Sequence, residues 1–300
     1  MSQLQGDAAQ AFDDDLDHRS FWADARRRFA HNRLALTGLV IVGFISFLAV
    51  FADFLAPFPY DHAYFDKVLL EPFQHPDHPL GTDEVGRDYL SRLIYGARTS
   101  LTVALLVQAI ALLIGVPVGA LAGYLGGRLD FAVTRVIDVM TAFPSLLFAI
   151  LIISVLEGGL TTIIVALSIT GWIGIARLTR AQFLTLREQE YALAAQALGV
   201  PARKIIFRDL LLNALTPILV AVSFGIPGTI FAEAGLSFIG LGINDPMASW
   251  GKMVGVSNAY VRVYWHLALF PTIAIALTML GFSFLGDGLR DALDPKHENQ

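Results

Sequence analysis

The chain has 300 residues, of which 55% are hydrophobic and 16% are charged; it contains no cysteine, and its formal net charge is -5. Soluble globular domains carry about 25% charged residues, so this composition excludes an ordinary water-soluble protein. The lack of cysteine excludes disulfides, thiolate metal sites and a cysteine nucleophile.

Six charge-free apolar runs follow one another along the chain. They cover residues 34–52, 99–127, 139–156, 158–176, 210–232 and 267–286. Each run is close to the length of about 20 residues that a helix needs to cross the hydrocarbon core of a bilayer. Six buried helices of this length would leave a soluble protein almost no polar surface. The sequence therefore predicts an all-α, polytopic membrane protein with six transmembrane helices.

The distribution of Lys and Arg predicts the orientation, because these residues concentrate on the cytoplasmic side of membrane proteins. With residues 1–33 inside, 15 of the 21 Lys and Arg residues fall in inner segments and 6 in outer segments. We therefore expect both termini to be cytoplasmic, with tails at 1–33 and 288–300. The first transmembrane helix is predicted at 34–56, and a core of five further helices at 99–287.

The long connection at 57–98 is expected to lie outside and to end in a short interfacial helix, since residues 88–98 show helical alternation of apolar and polar types. It also carries side chains of the types that bind zinc or nickel, namely His75, His78, Asp83 and Asp88. Their spacing fixes no ligand geometry, and no metal site is predicted.

The second long connection is expected to form a cytoplasmic helix between the fourth and fifth spans. Strong helix formers fill residues 186–198. Gly199 followed by Pro201 is a stop signal, and a second short helix is predicted at 201–208. The segment 186–208 is therefore interpreted as a helix, a turn and a helix.

Small side chains on the first of these helices would let another protein approach its backbone; they are Ala192, Ala194, Ala195 and Ala197. Docking of a protein partner is the favoured interpretation, and a merely solvated helix is the alternative. Nucleic-acid binding is not predicted, because no recognition-helix pattern accompanies the turn.

Two ionisable residues in apolar surroundings are candidate functional residues, since charges within spans are costly. Asp138 lies one helical turn after Arg135, a spacing that favours a local ion pair. Glu233 lies deep in an apolar stretch, where it would either face a transport pathway or make structural pairs. Structural pairing is the favoured interpretation for both residues.

Catalytic motifs are weak in this sequence. Ser237 lies in a span, as in an intramembrane serine protease, but His266 is placed at the far edge of another span, and no His-Glu-x-x-His string exists. The single Gly-Lys pair, Gly251-Lys252, lacks the remainder of a phosphate-binding loop. The sequence predicts neither an enzyme nor a chain that binds ATP by itself.

Several strings then occur in a fixed order along the chain. Residues 81–101 read GTDEVGRDYLSRLIYGARTSL, and GGRLD, AFP, LSFIGLG, SWG and LGDGLRDALDP follow at 126–130, 142–144, 236–242, 249–251 and 285–295. In this order they resemble the permease subunits of ATP-binding cassette importers of the dipeptide and oligopeptide type. Six spans alone would also fit a secondary transporter or channel, although no internal repeat is visible.

The resemblance implies that the inner helix is a coupling helix, which sits in a cleft of an ATP-hydrolysing subunit. The residues that it places in this contact are Glu190, Tyr191, Ala194, Ala195, Ala197, Leu198, Gly199 and Val200. The family's Glu-Ala-Ala motif reads Leu193-Ala194-Ala195 here, so no role of that Glu carries over. Leu212 also replaces the usual Pro before Asn213.

The resemblance further implies a second homologous permease, two ATPase subunits that bind ATP and Mg, and an extracytoplasmic solute-binding protein. This chain would hold no cofactor of its own. It would lie in the inner membrane of a bacterium or archaeon and form half of a pathway for di- and oligopeptides. Nickel chelates and oligosaccharides remain open as alternative substrates.

Overall fold

The computed structural model describes residues 21–293, which form helices and no β-strand. We number the helices α1 to α11: Phe21–His31, Arg33–Val50, Ala52–Leu55, Tyr89–Leu125, Gly127–Thr141, Ser145–Leu156, Leu160–Leu186, Glu190–Ala197, Ala202–Phe238, Trp250–Ser257 and His266–Leu293. Much of the two predicted tails, at 1–20 and 294–300, lies outside the described residues.

The prediction of an all-α, polytopic membrane protein is confirmed. Among the described residues, five helices are long and apolar enough to cross a bilayer: α2, α4, α7, α9 and α11. The pair α5 and α6 meets the same criterion as a unit but is bent by 79°, which makes six spans if the pair counts as one.

The bend interrupts the third predicted span within its first third. Helix α5 ends at Thr141 and α6 begins at Ser145, with Pro144 between them. Proline lacks a backbone N–H and disfavours helical backbone in the residue before it. The apolar run 139–156 is therefore two helical segments rather than one straight helix.

Helix α4 is continuous for 37 residues and includes the segment expected to be a separate interfacial helix. It begins after Asp88, whose carboxylate accepts a hydrogen bond of 2.8 Å from the Ser91 N–H. No glycine or proline signal separates Arg98 from Thr99, so the helix continues into the apolar run. The charges that delimited the run at this point are neutralised by ion pairs, for example Arg98 with Asp53.

Helices α4 and α7 pack along a ridge of glycines spaced four residues apart. A Cβ atom would lie 2.7 Å from the Trp172 carbonyl oxygen at Gly115, and 2.6 Å from the Arg180 carbonyl oxygen at Gly123. Gly119 meets the α7 backbone between them. Small residues at this spacing let two membrane helices approach closely, as observed here.

Helices α1 and α2 pack against the last span, α11. The Asn32 side chain donates a 3.3 Å hydrogen bond to Asp291, and the neighbouring Gly288 lies against Ala35. Both ends of the described chain therefore lie together. After α8 the chain crosses the bundle along α9 and returns along α11, so both ends lie on the side of the bundle that carries α8, which we call the α8 end. Helix α10 lies in the connection that leads from α9 to α11 and marks the opposite, or α10, end.

Candidate functional site

Helix α8 is a short element held between two long spans. It ends at Gly199, whose φ of 73° is the left-handed conformation that glycine adopts without strain. The Gly199 N–H bonds to the Gln196 carbonyl and the Val200 N–H to the Ala195 carbonyl, both at 3.0 Å. This pair of hydrogen bonds is a Schellman motif, and it satisfies carbonyls that would otherwise lack partners.

One face of α8 is buried. Ala192 is fully buried in an apolar cluster with Phe183 of α7 and with Ile205 and Leu210 of α9. The proposed surface of small residues is therefore divided: Ala192 packs inward, Ala195 is half-buried, and Ala194 and Ala197 are exposed.

Apolar side chains are exposed on either side of this buried face and in the C-terminal turn of α8. Leu198 is 83% exposed, Leu193 51% and Tyr191 43%, and Glu190 and Gly199 are also exposed, while Val200 is half-buried. These side chains lie on a connection between spans, where a polar surface would be expected. Exposed apolar groups at such a position make this segment a candidate interaction surface.

Polar and apolar contacts connect this segment to three spans. Arg187, just before α8, donates a 2.9 Å hydrogen bond to the Gly123 carbonyl at the end of α4. Asn213 of α9 donates to the Tyr191 hydroxyl at 3.4 Å. Together with the apolar contact to α7, these bonds mean that a force applied to α8 acts on α4, α7 and α9.

The second helix predicted at 201–208 is not a separate element. Helix α9 runs from Ala202 to Phe238 and contains a π-helical turn at Ile205–Leu210. The residues that follow Pro201 are therefore the first turns of the long span α9. π-Helical turns are rare and are frequently found at functional sites.

Glu233 is fully buried between α4, α9 and α10. Its carboxylate accepts hydrogen bonds from the hydroxyls of Ser237, Ser249 and Ser100 at 2.8, 2.9 and 3.3 Å. All three donors belong to this chain. The Ser237 hydroxyl is thus bonded to a carboxylate, which does not correspond to the serine–histidine pair of a hydrolase.

Asp138 lies on an exposed part of α5. Its carboxylate is 3.5 Å from Arg135 and 3.8 Å from Arg177 of α7. Ion pairs at exposed sites contribute little to stability, so this contact chiefly orients the two helices.

The histidine-rich part of the connection between α3 and α4 is a folded structure. The His78 imidazole is buried, and its Nδ1 lies 2.9 Å from the Asp88 carboxylate that caps α4. Residues 21–293 contain no group of three or more His, Asp or Glu side chains arranged to hold a metal ion.

An ionic cluster at the α10 end, buried or partly buried except at Asp245, was not predicted. Arg87 pairs with Asp83 at 2.6 Å and with Asp245 at 3.0 Å, Arg92 lies 3.3 Å from Asp83, and Lys252 pairs with Asp245 at 3.0 Å. The cluster links the connection before α4 to the one between α9 and α10. The concentration of charges at 83–92, next to an apolar run, is the sequence signal that could have indicated it.

Burial and ion pairing shift the pKa values of Asp245 and Lys252 in this cluster. Burial alone would raise the pKa of Asp245, but hydrogen bonds from Lys252 and Arg87 outweigh it and hold the pKa below its usual value. Burial lowers the pKa of the Lys252 ammonium, which Asp245 counteracts only in part.

Comparison with known proteins identifies the family. Residues 115–299 match the sequence profile of the family described as "Binding-protein-dependent transport system inner membrane component", and residues 20–76 match "N-terminal TM domain of oligopeptide transport permease C". The first profile alone covers more than half of the chain. The chain belongs to this family of transport permeases.

Named relatives cover nearly the whole permease. The oligopeptide transport system permease protein OppC of Bacillus subtilis is 44% identical over 92% of this chain and 90% of its own length. The dipeptide transport system permease protein DppC of the same organism is 45% identical over 92% and 86%. The glutathione transport system permease protein GsiD of Pectobacterium atrosepticum is 36% identical over 94% and 93%.

The permease also shares its fold with a solved transporter. A chain of the MetNI methionine ABC transporter, solved in an inward-facing conformation, matches with a TM-score of 0.56 and 20% identity. The match covers 68% of the permease and 96% of the MetNI chain. At this identity the likeness concerns the fold alone.

Proposed function

We propose that the permease forms half of the translocation pathway of an ATP-driven importer of di- and oligopeptides. The relatives with 44–45% identity carry the names of oligopeptide and dipeptide transport systems, and a third is named for glutathione, itself a small peptide. Nickel chelates and oligosaccharides have no comparable support among these relatives.

The proposed mechanism depends on one observation: α8 and its C-terminal turn expose the apolar side chains of Tyr191, Leu193 and Leu198, and the segment is anchored to three spans. In our proposal α8 is the coupling helix, and Tyr191, Leu193 and Leu198 enter a cleft of an ATPase subunit. Leu193 occupies the position of the family motif's Glu, so docking at this position is apolar. The remaining contact residues are Glu190, Ala194, Ala195, Ala197, Gly199 and Val200.

The proposed assembly contains a second homologous permease, two ATPase subunits and an extracytoplasmic solute-binding protein. ATP and Mg bind to the ATPase subunits, because this sequence has no phosphate-binding loop. Closure of the ATPases moves α8, and the attached spans tilt between inward-open and outward-open states.

The α8 end, with both termini, is proposed to be cytoplasmic, and the α10 end to face outward. This orientation follows the excess of Lys and Arg in the segments at the α8 end. The membrane is the cell membrane of a bacterium or archaeon, and specificity is set largely by the solute-binding protein.

Replacing Leu198 with Asp tests the docking surface. The carboxylate would have to be desolvated in an apolar cleft, so we expect the ATPase subunits to be lost on co-purification and peptide uptake to fall by at least about tenfold. Uptake is measured with labelled peptides in proteoliposomes that contain the complete transporter.

Val263→Asp is the matched control, because Val263 is 68% exposed at the α10 end. It should leave co-purification of the ATPases unchanged. Normal co-purification and uptake with Leu198→Asp would contradict the docking surface, whereas ATP-dependent uptake restricted to other solutes would contradict only the peptide assignment.

A further inference from the structure

The buried Glu233 carboxylate joins three elements of the permease. Ser100 donates to it from α4, Ser237 from one turn further along α9, and Ser249 from the residue that precedes α10. A buried carboxylate is costly unless its oxygens accept hydrogen bonds, and here the three hydroxyls supply them. No cation is among these partners, so hydroxyl donors alone satisfy the carboxylate.

Ser249 has a second role at the start of α10. Its hydroxyl oxygen accepts a 3.2 Å hydrogen bond from the Lys252 N–H and so caps the helix, while its proton is directed to Glu233. The carboxylate therefore fixes the conformation of the capping side chain. Loss of the carboxylate would free the cap to rotate.

Helix α10 packs closely against both α4 and α9. Trp250 donates a 2.9 Å hydrogen bond from its indole Nε1 to the Leu93 carbonyl, and Gly96 leaves space for its ring, since a Cβ there would lie 2.7 Å from Cδ1. On the other side, Gly251 lies directly against Ala234 and Gly255 against the backbone of Phe238.

We propose that Glu233 is a positioning residue that holds α10 against the start of α4 and the end of α9. These three parts then move as one rigid body when the permease changes between its transport states. Glu233 does not contact substrate, because its side chain is enclosed by this chain and is 0% exposed. The inference rests on the proposed transport function in one respect: the permease must alternate between transport states.

The chain lacks cysteine, so spin labels can be attached at introduced cysteines within an assembled transporter whose partners are cysteine-free. We place one label at the exposed Asn258, after α10, and one at Leu105 of α4, which is 51% exposed. The distance between the labels is measured without nucleotide and with ATP and vanadate. One narrow distance, the same in both states, is expected.

Glu233→Ala leaves three serine hydroxyls without their shared acceptor, so it should broaden this distance distribution and reduce peptide transport by at least about fivefold, which corresponds to the loss of roughly one buried hydrogen bond. Glu233→Gln keeps an oxygen acceptor for Ser237 and Ser249 and should restore the narrow distribution. If Glu233→Ala does not assemble, Ser249→Ala should show the broadening and Ser249→Thr, which keeps the hydroxyl, should not.

Thr229→Val is the matched control, because it breaks another buried hydrogen bond between α9 and α4, the 2.9 Å bond from Gln108, without affecting α10. It should keep the narrow distance. A distance that changes with ATP and vanadate in the unmodified chain would overturn the proposal, as would an unchanged distribution in both Glu233→Ala and Ser249→Ala. The distance between the two labels tests whether α4 and α10 move together, and this test does not depend on which solute the permease transports.

Discussion

At the scale of single residues, Gly199 and Ala192 show what one sequence does and does not reveal about α8. The Gly-x-Pro pattern predicts the end of the helix, and Gly199 indeed has positive φ there. The burial of Ala192 could not be predicted, because α8 carries small or apolar side chains on nearly all sides and lacks a periodic pattern that separates two faces.

Gly199 is required for its backbone conformation, since a Cβ at this position would meet nothing within 4 Å. Gly199→Ala should therefore destabilise the end of α8 by about 1 kcal/mol, and Gly199→Asn by less, because Asn tolerates the left-handed region. Hydrogen exchange at the Gly199 and Val200 amides would show about fivefold faster exchange in the Ala variant. Equal protection in all three proteins would contradict this explanation.

At the scale of helices, the sequence predicted which segments are helical better than where the helices end. The apolar runs predict every span, but the charged residues at the edges of these runs do not mark the ends of the helices. Helix α4 continues through Arg92 and Arg98 because these cations pair with carboxylates outside the helix, Asp83 and Asp53. Such partners cannot be identified from local periodicity. The prediction of a separate interfacial helix at 88–98 is therefore wrong, because this segment belongs to the continuous helix α4.

The glycine ridge of α4 gives a prediction for the contact with α7. A Cβ at Gly119 would overlap the Ala176 carbonyl oxygen, so Gly119→Ala should force the helices apart and destabilise the permease by about 1–3 kcal/mol. Thermal unfolding of the purified permease in detergent would show a lower Tm.

Gly174→Ala provides the matched control for this contact. Gly174 lies on α7 itself, but a Cβ there meets nothing within 4 Å. This variant should keep or slightly raise the Tm, because alanine favours the helix by about 0.5–1 kcal/mol. Equal destabilisation by both variants would indicate a general effect of lost glycine rather than close packing.

At the scale of the whole molecule, contacts between segments far apart in sequence are what sequence reasoning missed. Arg87 and Asp245 are separated by 158 positions, yet their ion pair helps to join the two connections at the α10 end. Ordered motifs indicated the family without revealing this pairing. The same limitation applies to the serines around Glu233, which come from three separate segments.

The Asp245 pair predicts a pH dependence. Because the pKa of Asp245 is held below its usual value, the pair stabilises the folded state above the ordinary aspartate pKa, about 3.9, and this contribution is lost as the pH falls through the lower, folded-state value. It amounts to on the order of 1 kcal/mol or less, since the carboxylate is 66% exposed.

A spin label at the exposed Asp66 would report the mobility of the connection between α3 and α4. We expect mobility to rise below about pH 4 in the unmodified chain. Asp245→Asn should be more mobile already at pH 7 and should change less with acidification. Asp61→Asn, at an exposed carboxylate of the same connection, should keep the original profile, and a similar change in both variants would refute a specific role of Asp245.

The continuity of α4 has a mechanical consequence. At 1.5 Å per residue, 37 residues make a rod of about 55 Å, whereas the hydrocarbon core of a bilayer is about 30 Å thick. One end contacts Arg187 beside α8, and the other end seats Trp250. For a helix of this length, a tilt of about ten degrees about one end would displace the other end by about 10 Å.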